Sequence, residues 1–421
     1  MKKHLFYSLL TFSIFSASIF AQNTQLSSKR DSTRIEKLEK RIKALEEKIE
    51  ENELQKILQE ANTISEKKKE SNGNKVFKSG QRALQAINPE ISVTGDAMGE
   101  YNFEDIPLKN NGGVFFRGLG LHIQSNLDPF SLAKVAIGFS PEGVGLGEAY
   151  LTWTNILPNI SLTAGKFRQQ FGVLNRWHKH ALDQFDFPLP IKAIFGNEGL
   201  NQIGFSFNWL LPSFTADANN LTIEITNAQN KNLFAGKTFS FPATLIHFKN
   251  YWDLSRDTYL ELGFTGMFGK NKLPIADENN NIVSEASRNT LLGGVDLTLF
   301  WEPVNNALYK SFLWRSEIYY AKKELLSNQE IKTLGGYSYV EYKFAEQWQT
   351  GIRFDYTQPF ELNNDSNYSY QIVPYITWWQ SHWVKMRLQY NYLDGNIISV
   401  PKNTLRLQIV WAVGPHKHDR Y

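Results

Sequence analysis

The chain has 421 residues, of which 42% are hydrophobic and 14% aromatic, with no cysteine and a formal net charge of +3. The missing cysteine argues against a disulfide framework, thiolate chemistry and a lipid-modified amino terminus, and the nearly balanced charge gives no footing for a nucleic-acid partner. No stretch beyond the first twenty residues is long and apolar enough for a membrane-spanning helix.

Lys2 and Lys3, the apolar run over residues 5–20 and the small residue Ala21 predict a secretory signal over residues 1–21. Residues 22–70 are then expected to form a periplasmic stalk. Within it Ile35, Leu38, Ile42, Leu45 and Ile49 are spaced three and four apart, with Glu and Lys between them, as in a coiled-coil seam. Asn52 continues the seam, and the phase then slips to Leu54, Ile57, Ala61 and Ile64. A solvated single helix is the alternative reading. Ile at a with Leu at d favours two strands. Residues 71–89 read as a linker; the polar, glycine-containing run of residues 66–80 marks the change.

From residue 90 onward the period is two. Ile91, Val93, Gly95, Ala97, Gly99 and Tyr101 share one face; Ser92, Thr94, Asp96, Met98, Glu100 and Asn102 share the other. Apolar-out, polar-in alternation is the pattern of a membrane barrel strand. Further strands are predicted at 114–125, 132–139, 147–154, 160–167, 201–210, 220–227, 244–252, 258–268, 290–301, 309–321, 333–344, 348–357, 367–379, 382–393 and 403–413. The fold class is therefore all-β: a transmembrane antiparallel barrel of about sixteen strands over residues 90–421, preceded by a short coiled-coil helix. Without a helical span, a closed barrel is the structure that satisfies its backbone in lipid.

Short turns near 126–129, 155–159, 211–213, 253–257, 302–306, 345–347 and 380–381 alternate with mostly longer loops at 104–112, 168–200, 228–243, 269–289, 322–332, 358–366 and 394–402. The short side is the periplasmic one, so both ends of the barrel face the periplasm. Trp153, Trp209, Trp252, Trp301, Trp348, Trp378, Trp379 and Trp383 lie beside the short turns, as an interfacial girdle would. Pro374 inside a strand predicts a local fault such as a bulge. In the last strand Leu405, Leu407, Ile409 and Trp411 oppose Arg406 and Gln408, and the chain ends in Tyr421. Such an ending suits recognition by the barrel-assembly machinery.

Residues 165–202 are the longest irregular segment of the barrel region, aromatic and partly basic. Long loops of this kind are functional or disordered, and the aromatic content favours a loop folded into or over the barrel mouth. Its Arg168, Arg176, Lys179 and Lys192, set against Asp183, Asp186 and Glu198, are candidates for a constriction. By parity Lys166 and Arg168 fall with outward Leu162 and Ala164, so a bulge near Gly165 would be needed to bring them inside. Inward strand positions carry both signs: Lys134, Arg353, Lys385, Arg387 and Arg406 against Asp96, Glu148, Asp296, Glu317 and Asp355. Lys385 and Arg387 share a face beside Arg406. With Arg353 and the loop cations they are the candidate anion-steering set; balanced lumen charge is the alternative. His178 with His180, and His416 with His418, have the spacing of two metal ligands, but no third is identifiable, so no metal and no cofactor is expected. His247 and His382 have no detectable serine partner, so an enzyme is not expected either.

Gly165-Lys166-Phe167-Arg168, Phe171-Gly172, Asn175-Arg176-Trp177-His178 and Gly199-Leu200-Asn201-Gln202 resemble the phosphate-selective porin O and P family of Gram-negative outer membranes. The run from Leu84 to Val93 is similar to the start of the barrel in some members. The resemblance covers roughly residues 80–421. It implies a homotrimeric sixteen-stranded porin with an inward loop, embedded in outer-membrane lipid and passing small hydrophilic solutes, with anion selectivity in its best-known members. Their arginine ladder has no residue-by-residue counterpart here, and the stalk is an addition, suited to trimerisation or to touching peptidoglycan. A structural or adhesive barrel without an open channel is the competing expectation.

Overall fold

The computed structural model describes residues 89–104, 111–234, 242–276, 282–362, 366–398 and 402–414. The expected signal and stalk, the linker up to residue 88, the His416/His418 pair and Tyr421 lie outside them.

Sixteen strands form one closed antiparallel barrel, each bonded to its sequence neighbours, with β1 closing on β16. They are β1 (Glu90–Asn102), β2 (Gly112–Asp128), β3 (Ser131–Ser140), β4 (Gly143–Leu157), β5 (Ile160–Arg168), β6 (Asn201–Leu211), β7 (Ala218–Thr226) and β8 (Ala243–Ser255). The second half comprises β9 (Thr258–Ala276), β10 (Ile282–Trp301), β11 (Ser311–Glu324), β12 (Glu330–Ala345), β13 (Trp348–Thr357), β14 (Ser369–Ser381), β15 (Val384–Gly395) and β16 (Lys402–Val413). Alternation sets the faces. Phe205, Ile246, Phe264, Phe354 and Leu388 stand exposed on the outside, while Ser92, Thr94, Asp96, Glu148, Asp296 and Gln408 are buried inside. At the closing seam Gln408 Nε2 donates to Asp96 at 3.0 Å and Arg406 pairs with Glu100 at 2.7 Å.

One expectation is corrected and two open points are answered. The segment 269–289 is largely strand rather than loop: pairing continues from Gly269↔Thr290 to Ala276↔Ile282. Beyond the lipid band a hairpin needs no apolar face, so the backbone ladder outlasts the hydropathy pattern. Pro374 is a local fault, as expected, but not a bulge: it pairs with Ile352 in unbroken register on the β13 side, while on the β15 side the ladder skips Val373 and Pro374 and resumes in the same register at Tyr375↔Gln389. Nor is there a bulge near Gly165, since the β5–β6 register runs unbroken from Ile160 to Arg168. Lys166 keeps outward parity opposite Ile203. Gly165 instead takes φ +136°, and a Cβ there would stand 2.3 Å from the Ala149 carbonyl oxygen.

Candidate functional site: the inward loop and the glycine wall

The connection from β5 to β6 folds into the lumen. It is not wholly irregular: Pro188 and Pro190 suit the first turn of a short helix, α1 (Leu189–Phe195), which ends at Gly196 with φ +90°. Phe171, Leu174, Trp177, Leu182, Phe187, Ile191, Ile194 and Leu200 are buried to within 1%. They pack on inward side chains that break the polar-in rule, among them Leu245, Met267, Leu292, Leu313 and Tyr319. Each such side chain contributes about 1.5–3 kcal/mol of burial, set against the cost of ordering the loop backbone.

Polar pins complete the attachment. Glu317 on β11 accepts the Val173 and Leu174 amides at 3.1 and 3.0 Å, the Tyr319 hydroxyl at 2.5 Å and the Tyr337 hydroxyl. Asp355 on β13 accepts the Leu189 amide at 3.2 Å. Gln389 on β15 accepts the Phe185 amide at 2.9 Å, and Tyr339 donates to Asp183 at 2.7 Å. Asp186 is pushed up by burial, but Lys192, Arg353 and Arg406 outweigh that and leave it below the usual carboxylate range.

The predicted cations divide. Arg353 is fully buried; it pairs with Asp355 at 2.9 Å and donates to the Asp186 carbonyl at 2.8 Å. Lys385 donates to the His180 carbonyl at 3.0 Å and Arg387 to the Leu182 carbonyl at 3.1 Å. These three hold the loop. Lys192 pairs with Asp186 at 2.7 Å and borders a second cavity of about 520 Å³ at the outer mouth. Arg406 also lies over the Phe185 ring, and Arg176 donates to the Arg168 carbonyl at 3.0 Å. Arg168, the last residue of β5, turns inward and donates to the Glu198 carbonyl at 2.8 Å. Lys179 pairs with Glu198 at 2.5 Å.

Arg168 and Lys179 border a cavity of about 540 Å³ between the loop and the upper ends of β1–β5. The space exists because side chains are missing there: Gly118, Gly120, Gly138, Gly143, Gly145 and Gly147 all line it. A Cβ on Gly143 or Gly145 would meet nothing within 4 Å, and one on Gly138 only a backbone oxygen at 3.9 Å. Two bordering residues escaped sequence reasoning. Arg117 sits at the register shift between Asp96 and Ala97, pairing with Asp96 at 3.2 Å and donating to the Phe185 carbonyl at 2.7 Å. His122 comes inward from β2 to meet His178 and His180. The glycine alternation in β2 and β4 was the available signal for this wall. His178 bonds Glu148 through Nε2 at 2.9 Å; burial holds its imidazole below the usual value, against that bond. Among the described residues no group of three ligands already converges on a metal position.

Comparison with solved structures supports the architecture. The outer membrane channel DcaP of Acinetobacter baumannii aligns at TM-score 0.55 and 10% identity, over 79% of this chain and 99% of that one. The anion-selective porin from Comamonas acidovorans aligns at TM-score 0.53 and 9% identity, over 78% and 100%. OmpT of Vibrio cholerae, in its trimer form, aligns at 0.51 and 10%, over 78% and 100%. At such identities the likeness is one of fold. An uncharacterized protein of Aquifex aeolicus (strain VF5) is 26% identical over 294 residues, 65% of this chain and 61% of its own length, so the match spans about three-fifths of that relative. No family model matches the chain.

Proposed function

We propose that this chain is an outer-membrane porin through which small hydrophilic solutes diffuse passively along the cavity between the inward loop and the glycine wall. The observation that carries this reading is the wall itself. The loop packs its apolar side chains toward β8–β12, and on the opposite side glycines of β2, β3 and β4 leave a gap between the Arg117, His122 and Glu148 contacts. The inward border of the cavity holds Arg117, Arg168 and Lys179 against Asp96 and Glu198, a surplus of one positive charge. A low-dielectric passage focuses such a surplus into a modest preference for anions, phosphate among them. Arg168 and Lys179 are then the steering residues of the expected set. Arg353, Lys385 and Arg387 act by positioning the loop, while Arg176, Lys192 and Arg406 shape its edges. The barrel resemblance and the trimeric form of one structural neighbour support a homotrimer. The stalk of residues 22–70, if paired between subunits, would reach toward peptidoglycan.

The dense packing of the loop favours a second reading, a structural or adhesive barrel with a closed lumen. Conductance in planar lipid bilayers separates the two. Stepwise conductance with a reversal potential of anion-selective sign in a salt gradient is expected, and Gly138→Leu with Gly145→Leu, at positions where an added Cβ meets no atom closer than 3.9 Å, should reduce it. Folded barrels that do not conduct would refute the porin reading. Equal conductance in the double variant would refute this route through the lumen.

A further inference from the structure

The three histidines that meet at the cavity come from separate parts of the sequence. His122 is an inward residue of β2, while His178 precedes and His180 lies within the turn Lys179–Ala181 of the inward loop. Their ring centroids stand 4.9 Å (His122 to His178), 5.2 Å (His122 to His180) and 5.5 Å (His178 to His180) apart. With zinc–nitrogen bonds of about 2.0–2.1 Å and tetrahedral angles, imidazoles sharing one ion place their centroids about 5 Å apart. The three ring centroids already stand at that spacing.

We propose that His122, His178 and His180 form a binding site for a divalent transition-metal ion, of the zinc, nickel or cobalt type, on the wall of this cavity. Imidazole triads select such borderline ions over calcium or magnesium, which prefer oxygen. Glu148 takes His178 Nε2 at 2.9 Å and so presents Nδ1 as the ligating nitrogen, the carboxylate–histidine–metal arrangement that fixes tautomer and ring direction. Lys385 donates to the His180 carbonyl at 3.0 Å and holds the loop backbone at this point. Cavity space beside the rings leaves room for a solvent ligand in the fourth position. The nitrogens do not converge as the rings stand, so binding requires rotation of the His122 and His180 rings with the backbone in place. The site does not depend on conduction, since it is read by binding in detergent.

The test is titration of the folded full-length barrel with Co²⁺, followed by its visible absorption, and with Zn²⁺ by calorimetry. The His416→Ala/His418→Ala variant is run in parallel to remove the tail pair. One ion per chain, with the intense bands of a low-coordinate nitrogen site, is expected in both proteins. His122→Asn and His178→Asn/His180→Asn should abolish saturable binding while keeping the heat-modifiable gel shift of a folded barrel. Glu148→Gln should weaken it about 10- to 100-fold. Absence of saturable binding in the unmodified protein would overturn the proposal. So would undiminished binding in folded His122→Asn, or loss of binding in the tail variant alone.

Discussion

Replacing Glu317 by alanine removes a pin that holds two amides of the inward loop. Its carboxylate accepts two loop amides, Val173 at 3.1 Å and Leu174 at 3.0 Å, and two tyrosine hydroxyls. Hydrogen bonds to an ionised group contribute about 1.5–3 kcal/mol each. The hydroxyls belong to the wall and find water when the loop leaves, so they largely cancel between the loop-in and loop-out states. The two amides do not cancel, because with the loop in place they are left buried without an acceptor. Burying the carboxylate itself carries a cost that its removal returns, so the low end applies: about 3 kcal/mol, or roughly a hundredfold shift toward the displaced loop. Trypsin reads this shift at Arg176, Lys179 and Lys192, which lie on the loop. Bilayer recording reads it as new, larger conductance levels. Unchanged cleavage and a single unchanged level, in a variant still folded by gel migration, would show that Glu317 does not hold the loop.

Arg353→Ala should leave Asp355, itself fully buried, without its cation, and lower stability by about 3–5 kcal/mol; a urea midpoint equal to the unmodified protein's would contradict this. Gly165→Val forces a branched side chain onto φ +136° and into the Ala149 carbonyl, so little refolded barrel should be recovered, and normal yields would count against the strain. The pH dependence of the loop follows from Asp186, whose carboxyl lies below its unfolded value in the folded chain. Its contribution is complete above the usual carboxylate range and is lost as the pH falls through the lower folded value. Cleavage of the loop by an acid-active protease should rise on acidification, and Asp186→Asn should flatten that rise; an equally steep rise in the variant would place the sensitivity elsewhere.

The barrel was legible because its two signals are local. Period-two alternation and turn composition need no knowledge of partners, and parity alone placed Asp96, Glu148, Asp296, Glu317 and Asp355 on the inside, where all five are buried. What escaped was any property set by a neighbour. Leu245, Met267 and Leu313 face inward because a loop more than forty positions away covers them; a strand read alone assigns such residues to lipid. Arg117 turns inward through a register shift that no hydropathy pattern marks. Likewise Lys385 and Arg387 read correctly as an inward basic pair, yet nothing in the strand shows that the carbonyls of His180 and Leu182 will engage them.

This difference bears on how selectivity is read in such barrels. A lumen cation acts on solutes only through the field it leaves uncompensated, and here the most deeply buried cations are those most fully engaged. Arg353 faces two carboxylates, and Arg387 donates to Thr377, Gln408 and Leu182. Their role is mechanical: they fix which part of the cross-section the loop fills. The remaining part is set by residues with no charge at all, the glycines of β2, β3 and β4, which leave the gap that Arg168 and Lys179 border. Adding a side chain at Gly145 should therefore alter conductance more than removing the charge of Arg387 in any variant that keeps the loop seated. The reverse order would mean that solutes travel along the β15 side after all.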